Sequence, residues 1–130
     1  MASKSVIKRM DYIFKRYCRL RDTSNGVFRC CSCGQYKNYS LADGGHFINC
    51  RWMSTRWEET NVHAQCSSCN RFDEGNSAGY AMFMIKKYGQ KHVDYLLALK
   101  NEPALWSDFE LELLIKEYKT KVKALEKNKF

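Results

Sequence analysis

The sequence predicts an α+β fold in which a four-cysteine zinc site staples a ββα core wrapped in helices. Cys30-x-x-Cys33 and Cys66-x-x-Cys69 are two pairs at knuckle spacing. The stretch between them reads as short extended segments punctuated by glycine and turn residues. The flanking stretches carry apolar residues at a repeat of three and four, which marks amphipathic helices. At 130 residues the chain fits one domain, with a basic N-terminal helix in residues 1–29, the zinc core in 30–76 and C-terminal helices in 77–130.

Val6 to Arg21 sets Val6, Met10, Ile13, Phe14, Tyr17 and Cys18 on one face of a helix and Lys8, Arg9, Lys15, Arg16 and Arg19 on the other. Asp22 to Gly26 ends it, with Asn25-Gly26 as the tight turn. Val27 to Cys30 is a short strand into the first knuckle, where Gly34 suits the tight backbone after the second cysteine, and Tyr36 to Leu41 is the return strand. Gly44-Gly45 frees the backbone ahead of the extended His46-Phe47-Ile48, and a basic, aromatic loop with Arg51, Trp52, Arg56 and Trp57 follows. Asn61 to Gln65 is the second strand of a hairpin, and Cys66 to Phe72 begins the helix that completes the ββα unit.

Gly75-Asn76 breaks that helix; Ser77 to Tyr88 is the next, stopped by Gly89, and Val93 to Leu99 is a shorter one. The last helix opens on a Ser107-x-x-Glu110 capping box and carries Leu111, Leu114, Ile115, Tyr118, Val122 and Leu125 near a 3.6 period. Such a stripe is either core or, in so small a chain, partly a dimer seam. The lysine-rich residues 121–129 are expected to fray.

Composition narrows the function classes. Forty-five per cent of residues are hydrophobic and one is proline, a globular rather than disordered balance. No apolar run approaches the roughly 20 residues of a membrane span, and Met1 to Asp11 has no signal-peptide core. A cytoplasmic protein without membrane contact is the expectation. Seven cysteines, an odd number in paired spacing, favour metal in a reducing compartment over disulfides. Of the net charge of +8, an excess of six falls before residue 30, where eight Lys and Arg face two acids. A charge so concentrated reads as a phosphate-binding surface without sequence preference, or else as a solvated helix face.

Four thiolates close a tetrahedral zinc and leave it no open position, so that ion is structural and chemistry must lie beside it. His46 on one side and Asn70, directly after Cys69, are what metal-assisted phosphodiester cleavage requires: a base for water and a hard oxygen ligand. A structural histidine and a helix-capping asparagine are the plain alternatives.

Gly45-His46-Phe47-Ile48, Thr55-Arg56, Asn61-Val62-His63-Ala64-Gln65-Cys66-x-x-Cys69-Asn70, Gly75-Asn76 and Tyr80, in that order, resemble the NinG/Rap family of phage recombination endonucleases. The likeness extends upstream through Cys30-x-x-Cys33-Gly34 and Arg19-Leu20-Arg21-Asp22 and covers roughly residues 9 to 90. It implies a structure-specific DNA endonuclease acting on branched recombination intermediates, Holliday junctions and D-loops, as a phage protein in a bacterial host cell. The site is also similar to the wider HNH, or ββα-metal, nucleases, whose core is treble-clef-like, and to phage endonuclease VII, which likewise has a four-cysteine zinc followed by an asparagine ligand.

Read onto this chain, the resemblance makes His46 the general base, Asn61 the residue that fixes the loop and so the base, and Asn70 the ligand of catalytic magnesium or manganese. HNH enzymes usually carry Asp or His directly before the base, and Gly45 stands there instead. Asp43 either curls round to supply the missing carboxylate or leaves Asn70 with water and phosphate. Lys8, Arg9, Lys15, Arg16, Arg19, Arg51 and Arg56 are candidates for the DNA backbone, and His63 either touches phosphate or packs. Trp52 and Trp57 either stack on unpaired bases or cap the core. Two opposed cuts in a four-way junction suit a homodimer, with recombination proteins as further partners. A nickase without junction preference and a zinc-stabilised DNA-binding module without nuclease activity stay open.

Overall fold

A computed structural model describes all of residues 1–130. The element order is α1 (Lys4–Arg21), β1 (Thr23–Ser24), β2 (Val27–Arg29), β3 (Tyr36–Asn38), β4 (Ala42–His46), β5 (Val62–Cys66), α2 (Ser77–Tyr88), α3 (Gln90–Lys100) and α4 (Asp108–Glu126). No helix is long and apolar enough to cross a membrane.

The apolar face of α1 buries Val6, Met10, Ile13, Phe14, Cys18 and Leu20, and α4 lies against it with Leu111, Ile115, Tyr118 and Val122. Each such side chain is worth roughly 1.5–3 kcal/mol once removed from water, so the pairing of first and last helices dominates the stability of this half. The Ser107–Glu110 capping box forms as expected. The α4 stripe is therefore core at Leu111, Ile115, Tyr118 and Val122, which α1 covers within one chain, and Leu114 and Leu125 pack partly buried at its margin. The tail does not fray: α4 runs through Glu126, the Lys129 carbonyl accepts from the Gly26 amide at 2.6 Å, and Phe130 packs edge-on against Tyr39 at 5.1 Å.

After α1, Asn25 and Gly26 both take positive φ, 52° and 76°, which matches the twist of a two-residue hairpin and joins β1 to β2. β2 pairs with β3 to complete a three-stranded antiparallel sheet. The expected return strand stops at Asn38, whose side chain caps a single 3-10 turn over Tyr39–Leu41.

β4 and β5 form a separate antiparallel hairpin with Ala42 opposite Cys66, Asp43 opposite Gln65, Gly45 opposite His63 and His46 opposite Val62. Gly44 and Gly45 lie in this strand without positive φ, so backbone freedom is not why they are glycine. They are there for space: a Cβ on Gly44 would stand 2.8 Å from Lys15 Cβ, and one on Gly45 would run into Gln65. The helix expected from Cys66 forms only one wide turn, Ser68–Phe72, before Glu74, Gly75 and Asn76 turn left-handed. Asn76 then caps α2 by accepting from the Gly79 amide. α2 and α3 close a second core from Tyr80, Met84, Val93 and Leu96 over Cys31 and Ile48.

β5 is buried along its whole length. His63 is consequently no phosphate contact: it is 0% exposed, with Nδ1 3.0 Å from the Tyr80 hydroxyl and Nε2 2.6 Å from that of Tyr88. Burial pushes its pKa down to about 3. Between that value and the usual 6.5 the unfolded chain binds a proton that the native chain refuses, so stability falls as pH is lowered, by up to about 1.4 kcal/mol per unit. An NMR titration of the imidazole resonances is expected to show His63 neutral from pH 8 down to 5. A midpoint near 6.5 would contradict this burial.

Candidate metal centre and adjoining cleft

The first knuckle follows β2, where the Gly34 amide donates to the Cys30 carbonyl at 2.9 Å and closes the turn. The second begins at the end of β5 and runs into the Ser68–Phe72 turn. These two turns bring the sulfurs of Cys30, Cys33, Cys66 and Cys69 within 4.8 Å of one another, with Cys33 and Cys66 Sγ 3.9 Å apart. A tetrahedron with metal–sulfur bonds of about 2.3 Å has edges of about 3.8 Å, so the set could hold zinc after sulfur shifts of about 1 Å or less. The Cys66 amide donates to Cys30 Sγ at 3.3 Å and Asn76 Nδ2 to Cys69 Sγ at 3.5 Å, contacts that favour the thiolate form. Cys31 packs into the α2–α3 core with its thiol still beside Cys30, and Cys18 is an inert core thiol whose pKa burial pushes up to about 12.

The open end of the hairpin is held by Asn61, which is fully buried. Its Oδ1 accepts from the Ile48 amide at 2.7 Å, and its Nδ2 donates to the carbonyls of Ile48 at 3.1 Å and Thr55 at 3.0 Å. One amide thus ties both ends of the long loop beside His46. Within that loop Arg56 makes a bidentate pair with Asp11 of α1, at 2.9 and 2.5 Å, and donates to the Cys50 carbonyl, so it braces the loop and does not present itself to DNA. Trp57 is buried and donates to the same Asp11 at 2.9 Å, and Trp52 packs on the α2–α3 core beneath Arg51 and Lys100; both tryptophans are packing residues.

His46 Nε2 lies 2.9 Å from the Arg56 carbonyl. A carbonyl only accepts, so in the neutral ring Nε2 carries the hydrogen and Nδ1 keeps its lone pair. Burial, aided by the nearby Lys15 charge, holds its pKa below the usual imidazole value in spite of that hydrogen bond. His46 and Asn70 line one cleft, together with Lys15, Gly44, Cys50, Gly75 and Tyr80. Asn70 and Gly44 also border an adjoining depression with Asp43, Lys15, Arg19, Tyr12 and Arg71.

Asp43 does reach Asn70: its Oδ2 accepts from Asn70 Nδ2 at 3.1 Å, while Arg71 grips both carboxylate oxygens at 3.0 Å. A carboxylate and an amide oxygen are donor types that a small hard cation takes, but here Arg71 occupies the carboxylate and Asn70 presents its nitrogen. To hold one, Asn70 must turn its amide oxygen inward and the well-exposed Arg71 must swing off Asp43, a rotation its 64% side-chain exposure leaves free. Lys15 and Arg19 line this depression, whereas Arg9 pairs with Glu112 and Arg16 with Glu126 at 2.5 Å, so these two arginines are already matched by acids of α4. Lys8 and Arg51 are exposed. Sequence reasoning missed Arg71 and Asp11; the position of Arg71 directly after Asn70 was the available signal for the first, and none pointed to the second.

The family model described as Bacteriophage Lambda NinG protein matches residues 2–128. Protein ninG of Escherichia phage lambda is 30% identical over 120 residues, which is 92% of this chain and 56% of that protein. The namesakes from Escherichia phage 933W and Salmonella phage P22 are 29% and 28% identical over the same share of this chain, each covered to 57%. The chain thus spans little more than half the length of the curated relatives it matches. No solved structure matches.

Elemental analysis of protein purified without chelator is expected to find one zinc per chain, and cobalt substitution to give the intense visible bands of tetrahedral thiolate; absence of both would exclude the sulfur site. Asn61→Ala is expected to cost about 3 kcal/mol in a urea titration, since it strands buried backbone groups at Ile48 and Thr55. A loss below 1 kcal/mol would mean that water replaces the amide.

Proposed function

We propose an activity on the premise that this chain belongs to the NinG family: it is a structure-specific DNA endonuclease of the HNH, ββα-metal kind, acting on branched intermediates such as Holliday junctions. One observation carries the reading. His46 is held through Nε2 with Nδ1 free of protein partners, on the wall of the cleft that Asn70 shares, at the end of the hairpin that leads into the second cysteine pair.

Asp43 and Asn70 would hold a divalent cation, magnesium or manganese, which would supply positive charge for the cleavage of the phosphodiester. His46 Nδ1 takes the proton of the water whose oxygen bonds to phosphorus as the bond to the 3′ oxygen breaks. That oxygen leaves as a hydroxyl after protonation by solvent, and the phosphate stays on the 5′ end. Arg71, displaced from Asp43, moves to a phosphate oxygen. Lys15 and Arg19 hold the backbone beside the cut, with Lys8 and Arg51 as outlying contacts. None of these side chains forms a bidentate pattern for base edges, which favours recognition by shape. Two opposed cuts require two copies of the chain at one junction, and the stripe of α4 that α1 covers is not free to join them.

In magnesium or manganese the wild-type chain is expected to nick supercoiled plasmid and to cut a four-way junction faster than its linear arms. His46→Ala is expected to lose about 100-fold or more of that rate. Because burial lowers the His46 pKa, the neutral base persists below the usual imidazole range, so activity is expected to hold through pH 6.5 and to fall only as pH drops further. Equal cutting by wild type and His46→Ala would refute the assignment, equal rates on junction and arms would leave a nickase without junction preference, and DNA binding without any cutting would leave a binding module.

A further inference from the structure

Gln65 stands on β5 opposite Asp43, one residue before Cys66, so it shares a face of the hairpin with Asp43 and Gly45. It is only 1% exposed. The two ends of its amide are engaged differently. Nε2 donates to the Gly75 carbonyl and to Ser32 Oγ, both at 2.7 Å. Since the Gly75 carbonyl can only accept, the nitrogen end is fixed there and Oε1 must point the other way. No protein donor meets Oε1, which keeps a trace of accessible surface although the residue is almost wholly buried.

Where it points is the informative part. Oε1 lies over Gly45: a Cβ built on that residue would overlap it, with Gln65 Cδ 2.9 Å and Gln65 Cβ 3.0 Å away. Position 45 directly precedes His46. The amide oxygen therefore fills the space into which a side chain at 45 would begin, on the face that carries the Asp43 carboxylate and, through it, Asn70.

We infer that Gln65 is a third oxygen donor to the catalytic cation, its Oε1 taking the place of the acidic or imidazole side chain that Gly45 lacks; this rests on the endonuclease reading above. A neutral amide oxygen is a hard donor suited to magnesium and manganese. One carboxylate and two amides give the donors a single negative charge, with Lys15 and Arg19 close by, so the cation is held weakly until a DNA phosphate adds its own. The pairing is also reciprocal. Gly45 must be glycine because Gln65 is there, and Gln65 is needed because Gly45 is glycine.

The test is manganese binding to the zinc-loaded full chain, followed by electron paramagnetic resonance of free ion, for wild type, Gln65→Ala and the pair Gln65→Ala with Gly45→Asp. Gln65→Ala is expected to weaken manganese at least about tenfold with zinc content unchanged, and adding Gly45→Asp is expected to restore both affinity and nicking, since the vacated space admits the carboxylate. A role as a mere strut between β5 and Gly75 would not be rescued at residue 45. Should Gln65→Ala fail to fold, Gln65→Glu keeps the chain length and an oxygen, and is expected to bind manganese more tightly than wild type. Manganese affinity unchanged in Gln65→Ala, no rescue by Gly45→Asp, or no gain in Gln65→Glu would overturn the inference alone. A wild-type chain that binds no manganese and cuts no DNA would remove the endonuclease reading with it.

Discussion

The register of the β4–β5 hairpin decides which side chains meet in this molecule. With Ala42 opposite Cys66 and His46 opposite Val62, one end of the hairpin is committed to the sulfur cluster and the other to the loop that Asn61 ties down. A slip of one residue would send Asp43 and His46 to the opposite faces and break both ends at once. The strands themselves are short, and β4 contains two glycines that contribute no side-chain packing. Pairing alone is too weak to hold such a hairpin, so register is imposed from outside: by the cysteines, by Asn61, and by Arg21 and Asp22 at the end of α1. Arg21 donates to the carbonyls of Glu59 and Val62 at 2.9 and 2.6 Å, and Asp22 accepts from the Ala64 amide at 2.9 Å.

The same helix divides its charge between two tasks. Its outer arginines meet acids of α4, which fastens the first and last helices together over their shared core. Lys15 and Arg19 turn instead to the hairpin, where Gly44 lets the helix backbone come close. Exposed ion pairs such as Arg9–Glu112 add at most about 1 kcal/mol each, so their larger effect is to cancel local charge. Lys15 and Arg19 border the Asp43–Asn70 depression, where Arg71 already sits on a carboxylate as a cation would.

Features written in local spacing were legible in the sequence. The two-residue gaps within the cysteine pairs, the apolar period of α1 and α4, the Ser107 cap and the Asn25-Gly26 turn each depend on neighbours in the chain, and each forms. What could not be read depends on partners far along it. The α4 stripe was legible as core or partly a seam, and nothing in its own period says that α1 is what covers it. The acids that neutralise Arg9 and Arg16 lie more than a hundred residues away. Alternation along β5 left His63 either on phosphate or packed, and α2 decides for packing by closing over the strand, which is buried throughout. Gly44-Gly45 looked like a flexible joint, although its meaning is steric and is supplied by Lys15 on one side and Gln65 on the other.

The proposed cleavage needs two ions with separate duties, one enclosed by the four sulfurs and one held by oxygens beside His46. Anomalous diffraction from crystals soaked in manganese, recorded at the zinc and manganese edges, separates them in a single specimen. The expected result is a zinc peak inside the four cysteines and a manganese peak between Asp43 and Asn70, with Arg71 displaced. A map in which Arg71 remains on Asp43 and no manganese enters the cleft would contradict it.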